Sequence, residues 1–349
     1  MWVSSGLKRA ALIFVLLAGL TPDAATAAGL GRSAVVFMYH RFGENAHPTT
    51  NTTLEQFEAH LQELKTGGYR VMALPDIVDA IRRGSPLPDR AVAISVDDAY
   101  LSVHAQAWPR LRDAGFPFTL FVATGPIDRK LGGYMSWDQI RELRDAGVTI
   151  GSQTVNHPHL PFLSDEMLTD ELETAQKRFR EELGRAPTLI AYPYGEASLA
   201  VMQAAQNVGF TAGFGQHSGV IDATDDVFNL PRFALNEKYG TLARVRLAAN
   251  ALALPTTDIL PSDPLVAPDN NPPALGFTVP ANIKGLEGLA CYGSTQGKLA
   301  LERLGVPGGE TRIEVRMDKP LPSGRTRINC TLPDRDGRWR WFGRQFYVK

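Results

Sequence analysis

Ala91-Val92-Ala93-Ile94-Ser95-Val96-Asp97-Asp98-Ala99-Tyr100 is the stretch on which the reading of this chain turns. A short apolar run of strand formers ends abruptly on two adjacent carboxylates. Such a run reads as a strand buried on both faces. Acids at its C-terminal end then sit at the mouth of an α/β sheet or barrel, where such folds carry their chemistry. Neighbours on a strand point to opposite sides, so Asp97 and Asp98 need not share a role: one can bind a metal while the other faces a substrate. The alternative is a polar N-cap pair opening the helix that follows Tyr100. A second polar cluster also directly follows a strand: Gly151-Ser152-Gln153-Thr154-Val155-Asn156-His157-Pro158-His159-Leu160.

Working outward, the same beat recurs on both sides. Ser33 to Tyr39 is an apolar run ending at His40. Thr53 and Gln56 form a capping box ahead of Leu54, Phe57, Leu61 and Leu64, which recur at helical spacing until Gly67-Gly68. Strands are expected over 69–74, 118–123, 148–152, 189–192, 210–214 and 229–233. Helices are expected over 75–83, 101–114, 137–146, 164–183 and 197–208. Strands alternating with helices imply a parallel sheet. About seven strands without a glycine-rich phosphate loop favour a closed barrel over a dinucleotide fold. The expected architecture is therefore α/β, a distorted (β/α) barrel over 33–240.

The remaining segments differ in texture. Lys8 and Arg9 precede an apolar run to Leu20, and Ala25-Thr26-Ala27 offers a small-residue cleavage site, so residues 1–28 read as a signal peptide and the protein as exported, periplasmic or extracellular. A net charge of -1 over 349 residues argues against non-specific nucleic-acid binding. A helical stretch and prolines 255, 261, 264, 268, 272 and 273 read as a linker over 241–273. Short alternating runs over 274–349 read as a small β-sandwich-like module, stapled by the only two cysteines, Cys291 and Cys330. Its tail, Arg338-Trp339-Arg340-Trp341-Phe342, offers either a sugar-stacking surface or a buried aromatic face.

Taken in order, Ser95-Val96-Asp97-Asp98, Ser152-Gln153-Thr154-Val155-Asn156-His157 and Ala191-Tyr192-Pro193-Tyr194-Gly195 resemble the NodB-type polysaccharide deacetylases (carbohydrate esterase family 4-like), with Met38-Tyr39-His40 also typical. The resemblance covers about Ala34 to Leu235. It implies a distorted barrel of about seven strands, Asp97 as general base, Asp98 and His157 as ligands of a divalent metal, usually zinc, and hydrolysis of N-acetyl groups on an N-acetylated glycan, with association with the cell wall or envelope as a further expectation. Such a metal polarises an acetamide carbonyl and lowers the pKa of bound water, and a carboxylate takes the water's proton. A backbone N–H near Tyr194 is placed to hold the oxyanion.

Three positions depart from the family's pattern. Gln153 stands where the first metal-binding histidine is expected and is read as a weaker ligand. Ala191 stands where the third motif often carries arginine. Leu230-Pro231-Arg232 replaces the late motif whose histidine supplies the general acid, and Arg232 cannot donate a proton usefully. His217 is then the candidate acid, with His40 and Arg232 joining Tyr194 as candidate substrate-binding groups. His159 and His104 read as loop and surface residues, and Tyr134 and Trp137 as either sugar-stacking or core. The competing expectation is a catalytically inactive carbohydrate-binding protein on the same scaffold, motivated by Gln153 and Arg232.

Overall fold

The computed structural model describes residues 1–2 and 30–349. The expected signal peptide falls mainly outside these residues. Seven strands form the heart of the first unit: β1 (Ser33–Tyr39), β2 (Ala91–Val96), β3 (Thr119–Val122), β4 (Thr149–Ser152), β5 (Leu189–Ala191), β6 (Ala212–Phe214) and β7 (Phe233–Ala234). They run parallel in the spatial order β6-β5-β4-β3-β2-β1-β7. The curled sheet is the expected (β/α) barrel. Its seam is closed by the segment leading into β7: the Leu230 N–H donates to the Gly213 carbonyl and the Gly215 N–H to the Leu230 carbonyl. Of the expected 229–233 strand only Phe233 pairs with β1, joined by Ala234 beyond it, because the rest of that stretch spans the gap from β6.

Period-two alternation explains the two cores. Val92, Ile94 and Val96 face outward, where they pack with Phe57, Leu61, Leu111, Ile140 and Leu143 of the surrounding helices. Ala91 and Ala93 face inward, together with Ala34, Val36, Ala191 and Ala212. Helix Leu74–Arg83 turns Leu74, Ile77, Val78 and Ile81 into this inner cluster and plugs one end of the barrel. The small inward residues leave room near the other end for large polar groups. The Thr53–Gln56 capping box forms as expected, with Thr53 accepting from the Gln56 N–H and the Gln56 side chain from the Thr53 N–H.

Residues 252–348 build a second sheet, mainly antiparallel, which begins earlier than position 274. Leu252–Ala253 and Leu265–Val266 add to Trp339–Val348, and Thr257–Leu260 adds to Leu275–Val279. The proline-rich stretch is thus partly strand at the sheet's edges, where the missing N–H groups of proline are tolerated. Helix Leu242–Ala249 lies ahead of it, on the barrel side. Cys291 and Cys330 face one another on adjacent strands and form a disulfide inside the sheet's own core.

Candidate active site

Asp97 continues the inward line Ala91, Ala93, Ser95, so it enters the barrel interior at its C-terminal mouth. It is 0% exposed. A buried carboxylate must be paired, and the partner is Arg232, also 0% exposed, whose Nη1 and Nη2 donate to Asp97 Oδ1 and Oδ2 at 2.7 and 2.9 Å. Arg232 Nε donates to the Gly215 carbonyl, Nη1 also to Ser95 Oγ, and the guanidinium lies 5.3 Å over the Phe121 ring. Arg232 was expected on the substrate. The structure instead places it beneath the cleft, because the seam segment carrying it passes into the barrel and the inward side chains of β2 and β5 are small. An arginine from the seam thus occupies an interior where Ala191 supplies none.

Above this pair opens a cleft of about 990 Å³ lined by Asp98, His40, His157, Tyr194, Tyr100 and Tyr134, among others. The backbone bends sharply around it: Asp98, Ala99, Thr154, His157 and Tyr194 all adopt positive φ, between 51 and 73°. Non-glycine residues held there store strain and concentrate at functional sites. Local contacts hold the turns. Glu171 Oε1 accepts from the Val155 and Asn156 N–H groups, and Thr154 Oγ1 from the His157 N–H. The Gly125 N–H donates to the Val155 carbonyl, and a Cβ at Gly125 would lie 2.7 Å from that oxygen, so the loop sits directly on the glycine backbone. Neither aspartate caps a helix; each belongs to the barrel mouth.

Asp98 Oδ1 lies 3.7 Å from His157 Nε2, both part-exposed to the cleft. Burial lowers the pKa of His157, against the raising effect of Asp98 and Asp97, while His40 lowers it further. Two ligands on one zinc, with bonds of about 2.1 Å in a tetrahedron, stand about 3.4 Å apart, so this pair alone is compatible with a cation. Gln153 is not. It is 0% exposed, its Oε1 accepts from the Asp98 N–H at 3.0 Å, and its Nε2 lies 3.2 Å from His157 Nε2. Because the backbone N–H fixes the carbonyl end, the amide NH₂ faces the imidazole. Expected as a ligand, Gln153 is a spacer between Asp98 and His157. No third His, Cys, Asp or Glu joins them among the described residues. Zinc generally takes three protein ligands, so the donor set does not fit such a centre.

The other candidates separate clearly. His217 is 3% exposed and lies in a small polar cavity between barrel and second sheet with Asp225, Asp226 and Arg344, not on the cleft. Burial and then the guanidinium of Arg344 push its pKa down to about 3. The expected general acid is therefore corrected: His217 does not face the cleft, and its surroundings disfavour the protonated imidazolium that a general acid needs. His40, at the end of β1, does line it. Tyr194 stacks on His159 at 4.4 Å and stands edge-on to His157 at 4.5 Å. His159 Nδ1 pairs with the buried Glu196 at 2.7 Å. Trp137 is core, against Phe179, whereas Tyr134 is on the cleft.

Sequence reasoning missed the far wall. Ser294, Arg325, Arg327, Asn329 and Trp341 of the second sheet complete the cleft. Arg325 Nη1 donates to the Tyr194 carbonyl, Arg327 Nε to the Gln216 carbonyl and Gln345 Nε2 to the Gly195 carbonyl. Trp341 stands edge-on to Phe233 at 5.0 Å and donates to Asn329, while Trp339 stays exposed. The available signal was the Arg-x-Arg-x-Asn alternation at 325–329, which a strand places on one face.

Comparison with known proteins agrees with this geometry. Residues 84–213 match the family described as polysaccharide deacetylase. The chain is 27% identical over 225 residues to an Escherichia coli (strain K12) poly-beta-1,6-N-acetyl-D-glucosamine N-deacetylase, covering 52% of this chain and 33% of that one, so it spans about a third of that relative. The structure of IcaB from Ammonifex degensii superposes with a TM-score of 0.58 at 25% identity, covering 63% of this chain and 98% of that one. Streptococcus pyogenes deacetylase PplD, solved in complex with acetate, gives a TM-score of 0.58 at 22% identity over 62% and 98%, a likeness of fold. The barrel of this chain is thus similar to the polysaccharide deacetylases of the NodB type. Both solved structures cover the barrel's share of the chain rather than its whole length.

Proposed function

We propose that this protein is an exported hydrolase that removes N-acetyl groups from an N-acetylated glycan. The observation that supports this most directly is the convergence of Asp97, Asp98, His157, His40 and Tyr194, from four different strand ends, at the mouth of one barrel. The cleft, of about 990 Å³, is large enough to hold a glycan segment. Tyr100, Tyr134 and Trp341 provide ring faces for sugars. Asp97 is the proton acceptor in this reading, oriented by the two-point contact with Arg232, and each of its oxygens keeps a lone pair beyond those the guanidinium uses. His40 is the group that hands a proton to the departing amine, and a Tyr194 backbone N–H the one that meets the oxyanion. Export rests on the Lys8 to Ala27 pattern; no helix among the described residues is long and apolar enough to cross a membrane.

Acetate release from chito-oligosaccharides and from poly-N-acetylglucosamine tests the reading. Asp97→Asn should cut turnover about a hundredfold or more, the lower end of what general-base removal costs. Wild-type rates in that variant would remove Asp97 from the chemistry. The Gln153 amide facing His157 favours a second reading, a glycan-binding protein without turnover. Glycan binding with no acetate release and no bound metal in the purified protein would establish it. One equivalent of zinc, lost in Asp98→Ala, would instead restore a metal centre that the two-ligand geometry does not support.

A further inference from the structure

Four arginines line the cleft, Arg129 and Arg244 from the barrel and Arg325 and Arg327 from the second sheet, against a single carboxylate, Asp98. Only Arg325 forms an ion pair, with Glu196 at 3.5 Å; Arg129, Arg244 and Arg327 form none among the described residues. Their known contacts are neutral: Arg129 donates to Asn156 Oδ1 and Arg327 to the Gln216 carbonyl. Arg244 Nε is buried without a partner. Two arginines near the cleft but not lining it are neutralised, Arg232 by Asp97 and Arg41 by Glu44. The three in the cleft stand without a counter-charge.

The placement is built by the strand Gly324–Pro333. Thr326, Ile328 and Cys330 alternate into the sheet's core, so Arg325, Arg327 and Asn329 fall together on the face turned to the barrel. That face is pressed close. At Gly343, opposite Asn329, an added Cβ would stand 1.8 Å from the Ser218 carbonyl oxygen. The same docking takes Arg327 largely out of water, and burial, then Arg325 beside it, lowers its pKa; burial lowers that of Arg244 as well. A desolvated guanidinium without a counter-charge is costly, and an incoming anion removes that cost. Guanidinium forks match carboxylate and phosphate geometry.

We propose that the cleft recognises a glycan bearing anionic groups, carboxylate or phosphate, along with its N-acetyl groups, and that Arg327, Arg325 and Arg244 contact those anions. This specificity rests on the deacetylase reading of the same cleft, but it is tested by binding alone, which needs no turnover. The purified full chain is titrated calorimetrically with hyaluronan oligosaccharide (carboxylate), N-acetylglucosamine 1-phosphate (phosphate) and chito-oligosaccharide of matched length to the hyaluronan (neutral), at low and high salt. Tighter, salt-sensitive binding of the carboxylate or of the phosphate probe supports the proposal and says which anion is preferred. Arg327→Gln combined with Arg325→Gln should then weaken that probe roughly tenfold, the size expected for losing charge-assisted hydrogen bonds, and leave the neutral oligosaccharide unchanged. Neutral binding at least as tight as both anionic probes, or equal losses for charged and neutral probes, overturns it. Failure of acetate release with anion-selective binding intact would sink the deacetylase reading and leave this one standing.

Discussion

Barrel and second sheet are built on opposite principles, and the cleft lies where they meet. In the barrel, strands are buried on both faces and the buried carboxylate of Asp97 is matched inside by Arg232. In the second sheet, one strand face is core and the other carries charge, so Arg325 and Arg327 reach the cleft with their counter-charges few or absent. The barrel also concentrates backbone strain, at Asp98, Ala99, Thr154, His157 and Tyr194. The difference teaches a division of labour. A closed, internally neutral barrel can hold reactive groups in fixed, strained positions, and an added sheet can set what the cleft attracts without disturbing them.

The sharpest way to break this picture is Arg232→Ala. It leaves Asp97 buried without a partner, and removing one member of a buried pair typically costs about 3–5 kcal/mol. Denaturant unfolding should show a loss of that order, much larger than for Arg325→Ala, whose ion pair is exposed on its own side and worth roughly 0–1 kcal/mol. Equal losses at both positions would erase the distinction between a neutralised interior and an open wall.

Next in size is the staple. Cys291 and Cys330 close a loop with a sequence separation of 39. Chain-entropy reasoning assigns about 4 kcal/mol to such a closure, and measured values typically run about 2–4 kcal/mol. A double Cys→Ala variant should therefore lower the melting temperature of the second sheet first, read by proteolysis mapped to 252–348, with the barrel protected. Simultaneous loss of both units would mean that they unfold as one.

Smallest is Gly343→Ala. The Ser218 oxygen leaves no room for a methyl group, so the sheet must back away from the barrel by a small distance. Overpacking of this kind costs about 1–3 kcal/mol. The informative readout is affinity for an anionic glycan, which should fall in step with stability because Arg327 moves with Gly343's neighbours. Unchanged affinity would place the arginines' function outside the docked interface.

The chain by itself determined the barrel, because period-two alternation ending in polar loops is a local signal repeated strand after strand. It determined which residues gather at the mouth for the same reason: Asp97, Gln153 and His40 each follow a strand directly, Tyr194 lies in the turn just beyond one, and parallel strands bring their C-terminal ends together. The disulfide was legible too, since two cysteines in one small module leave a single pairing. What each group does there was decided by tertiary structure. Arg232 reads as a surface or substrate residue until the seam segment is seen to enter the barrel. His217 reads as a strand-end histidine like His40 until the second sheet closes over it. Gln153 reads as a substitute ligand until the Asp98 N–H fixes which end of its amide faces His157. The arginine wall depends on a contact between segments more than 100 residues apart, Arg327 with Gln216. Periodicity carries information only about neighbours along the chain, and these outcomes rest on which distant surfaces exclude water from one another.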